Sequence, residues 1–251
     1  MSNNEIKQKS NEQAATLRRP SIFNNQIFYL IIVILLVVVI ASILNPKFIT
    51  LKNFLNIMQQ ISILGILTMC MSLLMISGGL DISIGNMAGL IAMIFARMLL
   101  AGIPLWADVI TALAIGLVLG FINGLIVAKS KVIALIITLG MSYFYLGLAL
   151  LISGGRPLAI TGQFQFLGQA KIGGVIPVSI ILYLAIFAFA FLLRKYTKYG
   201  RRLNAIGGNT LAAYLSGINV DLHVISLYAL SGLIVGFTAL ILSSRLGMVR
   251  A

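Results

Sequence analysis

From Ile27 to Leu44 the chain runs through eighteen residues without one charged side chain. Comparable apolar runs follow near 59–77, 85–103, 107–127, 132–152, 176–193 and 224–243. A helix rises about 1.5 Å per residue, so about 17–25 mostly apolar residues cross a bilayer. Backbone groups in lipid must bond within their own segment, so each run should be helical. Even the β-favouring Val37–Val39 run falls under that rule. The expectation is an all-α integral membrane protein, a polytopic bundle of about seven transmembrane helices.

Composition agrees. Charged residues make up 9% of the 251 and mean hydropathy is +1.08, whereas a soluble domain carries about 25% charged residues. The net charge of +13 does not read as a nucleic-acid surface, because the cations sit between apolar spans, where they act as topology signals. With the N-terminus inside, 11 Lys and Arg fall inside and 6 outside, and Arg97 lies within a span. That bias predicts a cytoplasmic N-terminal tail over 1–26 and a membrane domain from 27 to 251. The run Ile27–Leu44 is too long for the roughly 7–15-residue core of a secretory signal and reads as an uncleaved first span. Cys70 and His223 are single residues of their kinds and support no disulfide, metal or cofactor site. No phosphate-binding glycine loop, zinc-protease pair or Ser/His/Asp set is present, so any ATP must be bound by another chain.

Two polar interruptions carry the candidate chemistry. The first is Ser77-Gly-Gly-Leu-Asp-Ile-Ser-Ile-Gly-Asn86. A carboxylate this close to a membrane is expensive and marks a functional position by default. Asp81 has two readings. It caps the helix that follows, or it belongs, with Ser83, Asn86 and Asn123, to a gate or solute pathway. Nearby, Gly116, Gly120 and Gly124 recur every four residues and suit close helix packing. The second interruption is 194–223, with Arg194, Lys195, Lys198, Arg201 and Arg202. Lys198–Gly200 reads as the end of one helix, its cations suited to the C-terminal dipole. Gly207-Gly208 reads as a turn. Asn209 or Thr210 then caps a short helix, 211–216, that Gly217 terminates. Such a helix needs a surface to lie on, and Leu211, Tyr214 and Leu215 could enter a partner's groove. The longest outer loop, 153–175, reads either as a landing place for an external partner or as a solvated connector.

Three ordered segments, Ser77–Gly85, Tyr199–Asn209 and Leu215–Val220, resemble the ribose-type sugar permeases of bacterial ATP-binding-cassette (ABC) importers. Asn45-Pro-Lys-Phe48, with Asn53, Asn56 and Ile57 after it, and Leu230-Ser-Gly232 resemble them too. The resemblance runs from about residue 27 to the last. It implies a type II importer permease fold in the bacterial inner membrane, and a transport subunit with no enzymatic activity of its own. It also implies a second permease subunit, two ATPase subunits and an extracytoplasmic solute-binding protein delivering a monosaccharide such as ribose, autoinducer-2 or a nucleoside. The 199–220 segment matches the family's ATPase-coupling region, which assigns coupling roles to Gly200, Arg201, Gly207, Gly208, Asn209, Leu211, Leu215 and Gly217. Relatives often carry a charge after Gly-Gly-Asn, where this chain has Thr210. Relatives also continue past residue 251, so the chain reads as shortened at its C-terminus, as a fragment or an inactive remnant. A secondary transporter is the rival reading. It would need ionisable groups near the midplane, and only Asp81 and Arg97 qualify. A membrane enzyme finds no catalytic set.

Overall fold

A computed structural model describes residues 26–130 and 132–250. The tail over 1–25 and Lys131 lie outside the described residues, and so do the readings placed on them. Contacts divide the chain into two units that meet between Phe54 and Leu55.

In the first unit, α1 (Gln26–Leu44) exposes aliphatic side chains on all sides, from Ile27 to Leu44. A helix apolar all round belongs in lipid or in a large core. Asn45 stops it and caps a 3-10 turn, Pro46–Ile49, by accepting from the Lys47 N–H at 3.0 Å. Asn53 Nδ2 donates back to the Phe48 carbonyl at 2.9 Å.

The helix α2 (Leu51–Ile76) begins in the first unit and continues through the second. It is one helix of 26 residues, so 51–60, expected as a separate interfacial approach, is its first part. The rest of the second unit is α3 (Ile84–Leu100), α4 (Leu105–Lys129), α5 (Ala134–Ser153), α6 (Phe166–Gln169), α7 (Val178–Tyr196), α8 (Lys198–Gly208), α9 (Thr210–Leu215) and α10 (Val220–Leu246). Four two-residue strands complete it, β1 (Leu158–Ala159), β2 (Lys171–Ile172), β3 (Ile176–Pro177) and β4 (Met248–Val249).

Each of the seven apolar runs holds a helix, and among the described residues six helices are long and apolar enough to cross a membrane. The seventh, α3, has only 17 residues. The Ser77–Ser83 turn trims one end and Ala101-Gly102 the other. Ile91, Met93 and Ala96 are fully buried, so protein rather than lipid covers much of α3.

The core sits between α4 and α10, which pack antiparallel along glycines. A Cβ on Gly116 would overlap the Gly232 carbonyl, and one on Gly120 would stand 2.9 Å from the Gly232 Cα. In lipid, burying apolar surface gives helices little reason to associate, so close backbone approach supplies the attraction. The α10 helix is 61% buried over its most apolar window, against 11% for α7.

The 153–175 loop is folded rather than a plain connector. Strand β1 pairs antiparallel with β4, with Leu158 opposite Val249. Gly168 N–H donates to Ser244 Oγ at 2.9 Å, and Phe164 packs on Phe95 with ring centroids 5.0 Å apart. The loop is thereby fastened over the ends of α3 and α10.

Candidate functional site

The Ser77–Ser83 turn is held by side chains from three helices. Asp81 Oδ1 accepts from the Ser83 N–H at 2.9 Å and from Ser83 Oγ–H at 2.6 Å. Asn123, from α4, donates through Nδ2 to Ser83 Oγ at 2.8 Å and to Asp81 Oδ2 at 3.3 Å. Tyr145, from α5, donates to Asn123 Oδ1 at 2.6 Å. Tyr228, from α10, donates to the Leu80 carbonyl at 2.9 Å. Thr138 Oγ1 accepts from the Ile82 N–H at 3.2 Å. Asp81, Ser83 and Asn123 are buried, and a buried polar group needs partners of this kind. Ser83 takes the N-cap position of α3 without a side-chain cap bond. Asp81 therefore ties the turn two residues earlier instead of capping the helix itself.

Three of the four gate or pathway candidates, Asp81, Ser83 and Asn123, thus share one cluster. Asn86 does not join it and instead donates to Ser142 Oγ on α5 at 2.8 Å. Tyr145, Tyr228 and Thr138 were not legible as partners, because a phenol or hydroxyl in an apolar run does not reveal which distant backbone it meets.

The second motif lies against the same turn. A Cβ on Gly207 would overlap the Ile76 carbonyl and stand 3.2 Å from the Ser77 Cα. Tyr199 stacks on His223 with centroids 5.5 Å apart, and its hydroxyl meets Ser226 Oγ at 2.9 Å. The α8 helix therefore rests on both the end of α2 and the start of α10. It is amphipathic, burying Leu203 and Ile206 while exposing Arg201 and Arg202.

Two local expectations fail against the structure. Lys198–Gly200 opens α8 instead of closing α7. Thr197 breaks between them and accepts the Gly200 N–H at 3.0 Å, and a Cβ on Gly200 would strike the Arg194 carbonyl. Gly207 and Gly208 are the last residues of α8 rather than a turn. The break falls at Asn209, whose Oδ1 accepts the Ala212 N–H at 2.9 Å and caps α9. Gly217, at φ +81°, ends that helix.

On α9, Leu211, Tyr214 and Leu215 are 67%, 66% and 77% exposed. A cavity of about 680 Å³ lies beside them, lined by Tyr214, Leu215 and residues 217–221. At its edge Lys129 and Asp221 pair at 2.5 Å, joining the end of α4 to the start of α10.

Four buried side chains that the sequence did not single out as candidates, Asp108, Ser179, Ser231 and Ser243, hold polar atoms without a partner among the described residues. Asp108, in the first turn of α4, is fully buried, and neither carboxylate oxygen has a partner among the described residues. Ser243, near the end of α10, is buried with its hydroxyl unpartnered in the same sense. No group of three or more His, Cys, Asp or Glu suited to a metal occurs among the described residues.

Residues 53–251 match the family model described as branched-chain amino acid transport system / permease component. The chain is 36% identical over 213 residues to the ribose import permease protein of Haemophilus influenzae, covering 82% of this chain and 65% of that one. It is 33% identical to the galactose/methyl galactoside import permease protein of Escherichia coli, covering 81% and 66%. It is also 33% identical to the autoinducer 2 import system permease protein of Klebsiella pneumoniae, covering 83% and 64%. The chain thus spans about two-thirds of the length of these relatives. No solved structure matches.

Proposed function

From the premise that this chain belongs to the branched-chain amino acid transport system / permease component family, we propose that it is the transmembrane permease subunit of an ABC importer. Its solute is a small hydrophilic molecule, a monosaccharide such as ribose, taken inward across the bacterial inner membrane with the N-terminus cytoplasmic. The relatives' names include ribose, galactose and autoinducer 2 import, and these alternatives keep the solute class at small and hydroxyl-rich. A second permease subunit, ATPase subunits and an extracytoplasmic binding protein complete the assembly.

The observation that carries this reading is the seating of α8 and α9. The α9 helix presents Leu211, Tyr214 and Leu215 outward, an apolar ridge suited to a groove on a soluble partner. Behind it, α8 rests on the Ile76–Ser77 backbone and on His223. A push on α9 therefore reaches the Ser77–Ser83 turn directly. That turn is clasped by Asn123, Thr138 and Tyr228 on three different helices, and it acts as the gate whose rearrangement follows ATP hydrolysis. Asp81 serves as the clasp's acceptor.

The test is uptake of labelled D-ribose by the reconstituted assembly. Leu215→Asp and Gly208→Pro should each leave the subunit in the membrane and abolish uptake. Normal uptake with both changes would overturn the coupling role.

A further inference from the structure

We propose that the groove between α2 and α7, together with the cations at its end, is a binding site for an anionic phospholipid of the surrounding membrane. Such a site concerns the lipid around the subunit rather than the solute it carries. The two helices touch at Gly65, where a Cβ would stand 2.5 Å from the Tyr183 ring. Eleven residues further along each helix stand Ile76 and Arg194. Between that contact and that pair lies a groove of about 270 Å³. Met69, Leu73 and Ile76 form one wall, Phe187 and Phe191 the other, and Arg194 stands at the end. From Met69 to Ile76 it runs about 10 Å at 1.5 Å per residue. The α7 helix is 11% buried over its apolar window, and Phe187 and Phe191 are exposed, so the groove opens toward lipid.

Arg194 is the informative residue. The other polar residue lining the groove is Ser72, whose hydroxyl already donates to the Thr68 carbonyl at 2.8 Å. With Lys195, Lys198, Arg201 and Arg202, Arg194 makes five cations within nine residues. The acids among the described residues are Asp81, Asp108 and Asp221. The first two are buried and the third pairs with Lys129, so no described carboxylate pairs with this cluster. Arg194 and Lys195 close α7, where the helix dipole favours cations. Lys198 and Arg201 instead lie in the first turn of α8, which holds no acid and where the dipole disfavours them. A Cβ on Gly200 would meet the Arg194 carbonyl, so that turn stands beside the end of the groove. Like charges gathered against a dipole repel one another and call for an external anion.

A soluble anion would answer the charges and leave the apolar groove unfilled. A phospholipid answers both. Its phosphate suits the planar fork of Arg194, and one acyl chain lies between the Phe187–Phe191 wall and α2. Basic pockets between transmembrane helices hold anionic headgroups in this way. Lys195 lies over the Phe191 and Tyr196 rings at 5.2 and 5.4 Å, which keeps a second ammonium on the same wall. Tyr196, 63% exposed at the end of α7, has the amphipathic ring that settles at headgroup level.

The test is quenching of tryptophan fluorescence in the full chain, reconstituted with brominated phosphatidylglycerol or brominated phosphatidylcholine. Trp106→Phe removes the chain's single tryptophan, and Phe187→Trp or Phe191→Trp then places a reporter on the groove wall. Two separate reporters keep the test alive if one variant fails to fold. Each reporter should show phosphatidylglycerol preferred by about fivefold, the effect of one cation at a membrane surface. Arg194→Gln should remove most of that preference, and Arg156→Gln, in the 153–175 loop, should leave it. Native Trp106, exposed at the start of α4, should be quenched equally by the two lipids. Equal quenching at the groove reporters, or a preference indifferent to Arg194→Gln, would overturn the proposal. So would reporters that neither lipid quenches, which would mean that protein covers the groove. Loss of the preference on adding inorganic phosphate would also overturn it, by showing a free-anion site. The readout needs no uptake, so its failure leaves the transport reading untouched.

Discussion

At the scale of single residues, Asn123 joins the most parts. Its amide serves Asp81, Ser83 and Tyr145 at once. Leaving buried partners unsatisfied costs about 1–3 kcal/mol, so Asn123→Leu should lower the melting temperature of the purified subunit clearly. Tyr145→Phe alone should cost less, and the double variant should cost less than the two single losses added together, because residues in one network couple. Strict additivity would show that the cluster is not a unit. The glycines give a second contrast. Gly120→Leu must displace the Gly232 backbone, so little folded protein should survive detergent extraction, whereas Gly89→Ala meets open space and should extract normally. The small-residue stripe, Asp81, Ser83 and Asn123 could all be picked from the sequence by cost and spacing. Their phenolic partners could not, because Tyr228 meets Leu80 across 148 positions of chain and local pattern holds no trace of that.

At the scale of elements, the proposed coupling makes α8 and α9 one lever whose fulcrum is the close approach of Gly207 to Ile76. Gly207→Ala should disturb the seating on Ile76, while Gly208→Ala has no neighbour to meet. The first should depress uptake with normal membrane insertion and the second should not. Equal effects would remove the fulcrum from the account. Asn209→Ala should cost about 1 kcal/mol of capping, seen as faster amide exchange across 210–216. The sequence marked α9 and its cap well, since Asn and Gly signal helix ends strongly. It misplaced the start of α8, because Lys198-Tyr199-Gly200 has the composition of a helix end. Only the tight approach to the Arg194 carbonyl explains a glycine near a helix start. It also left 153–175 open between landing surface and connector, for its fastening runs through Ser244 and Gly247, far along the chain.

At the scale of the whole molecule, span length made the bundle legible while burial stayed hidden. The apolar windows of α7 and α10 have hydropathies of 2.0 and 2.2, yet the first is 11% and the second 61% buried. Lipid and protein interiors are both apolar, so hydropathy cannot tell a peripheral helix from a central one. What distinguishes α10 is its glycines, together with Ser226 and Ser244, which bond to Tyr199 of α8 and Gly168 of α6. On the proposed function, energy enters this bundle through α9 from a partner that hydrolyses ATP. The most direct measurement is labelled D-ribose uptake into proteoliposomes holding the subunit with its ATPase and binding protein, with and without ATP, an uncoupler and Leu215→Asp. The expected result is uptake that requires ATP, ignores the uncoupler and disappears with Leu215→Asp. Uptake that proceeds without ATP, collapses with the uncoupler and survives Leu215→Asp would contradict the account and identify an ion-driven carrier instead.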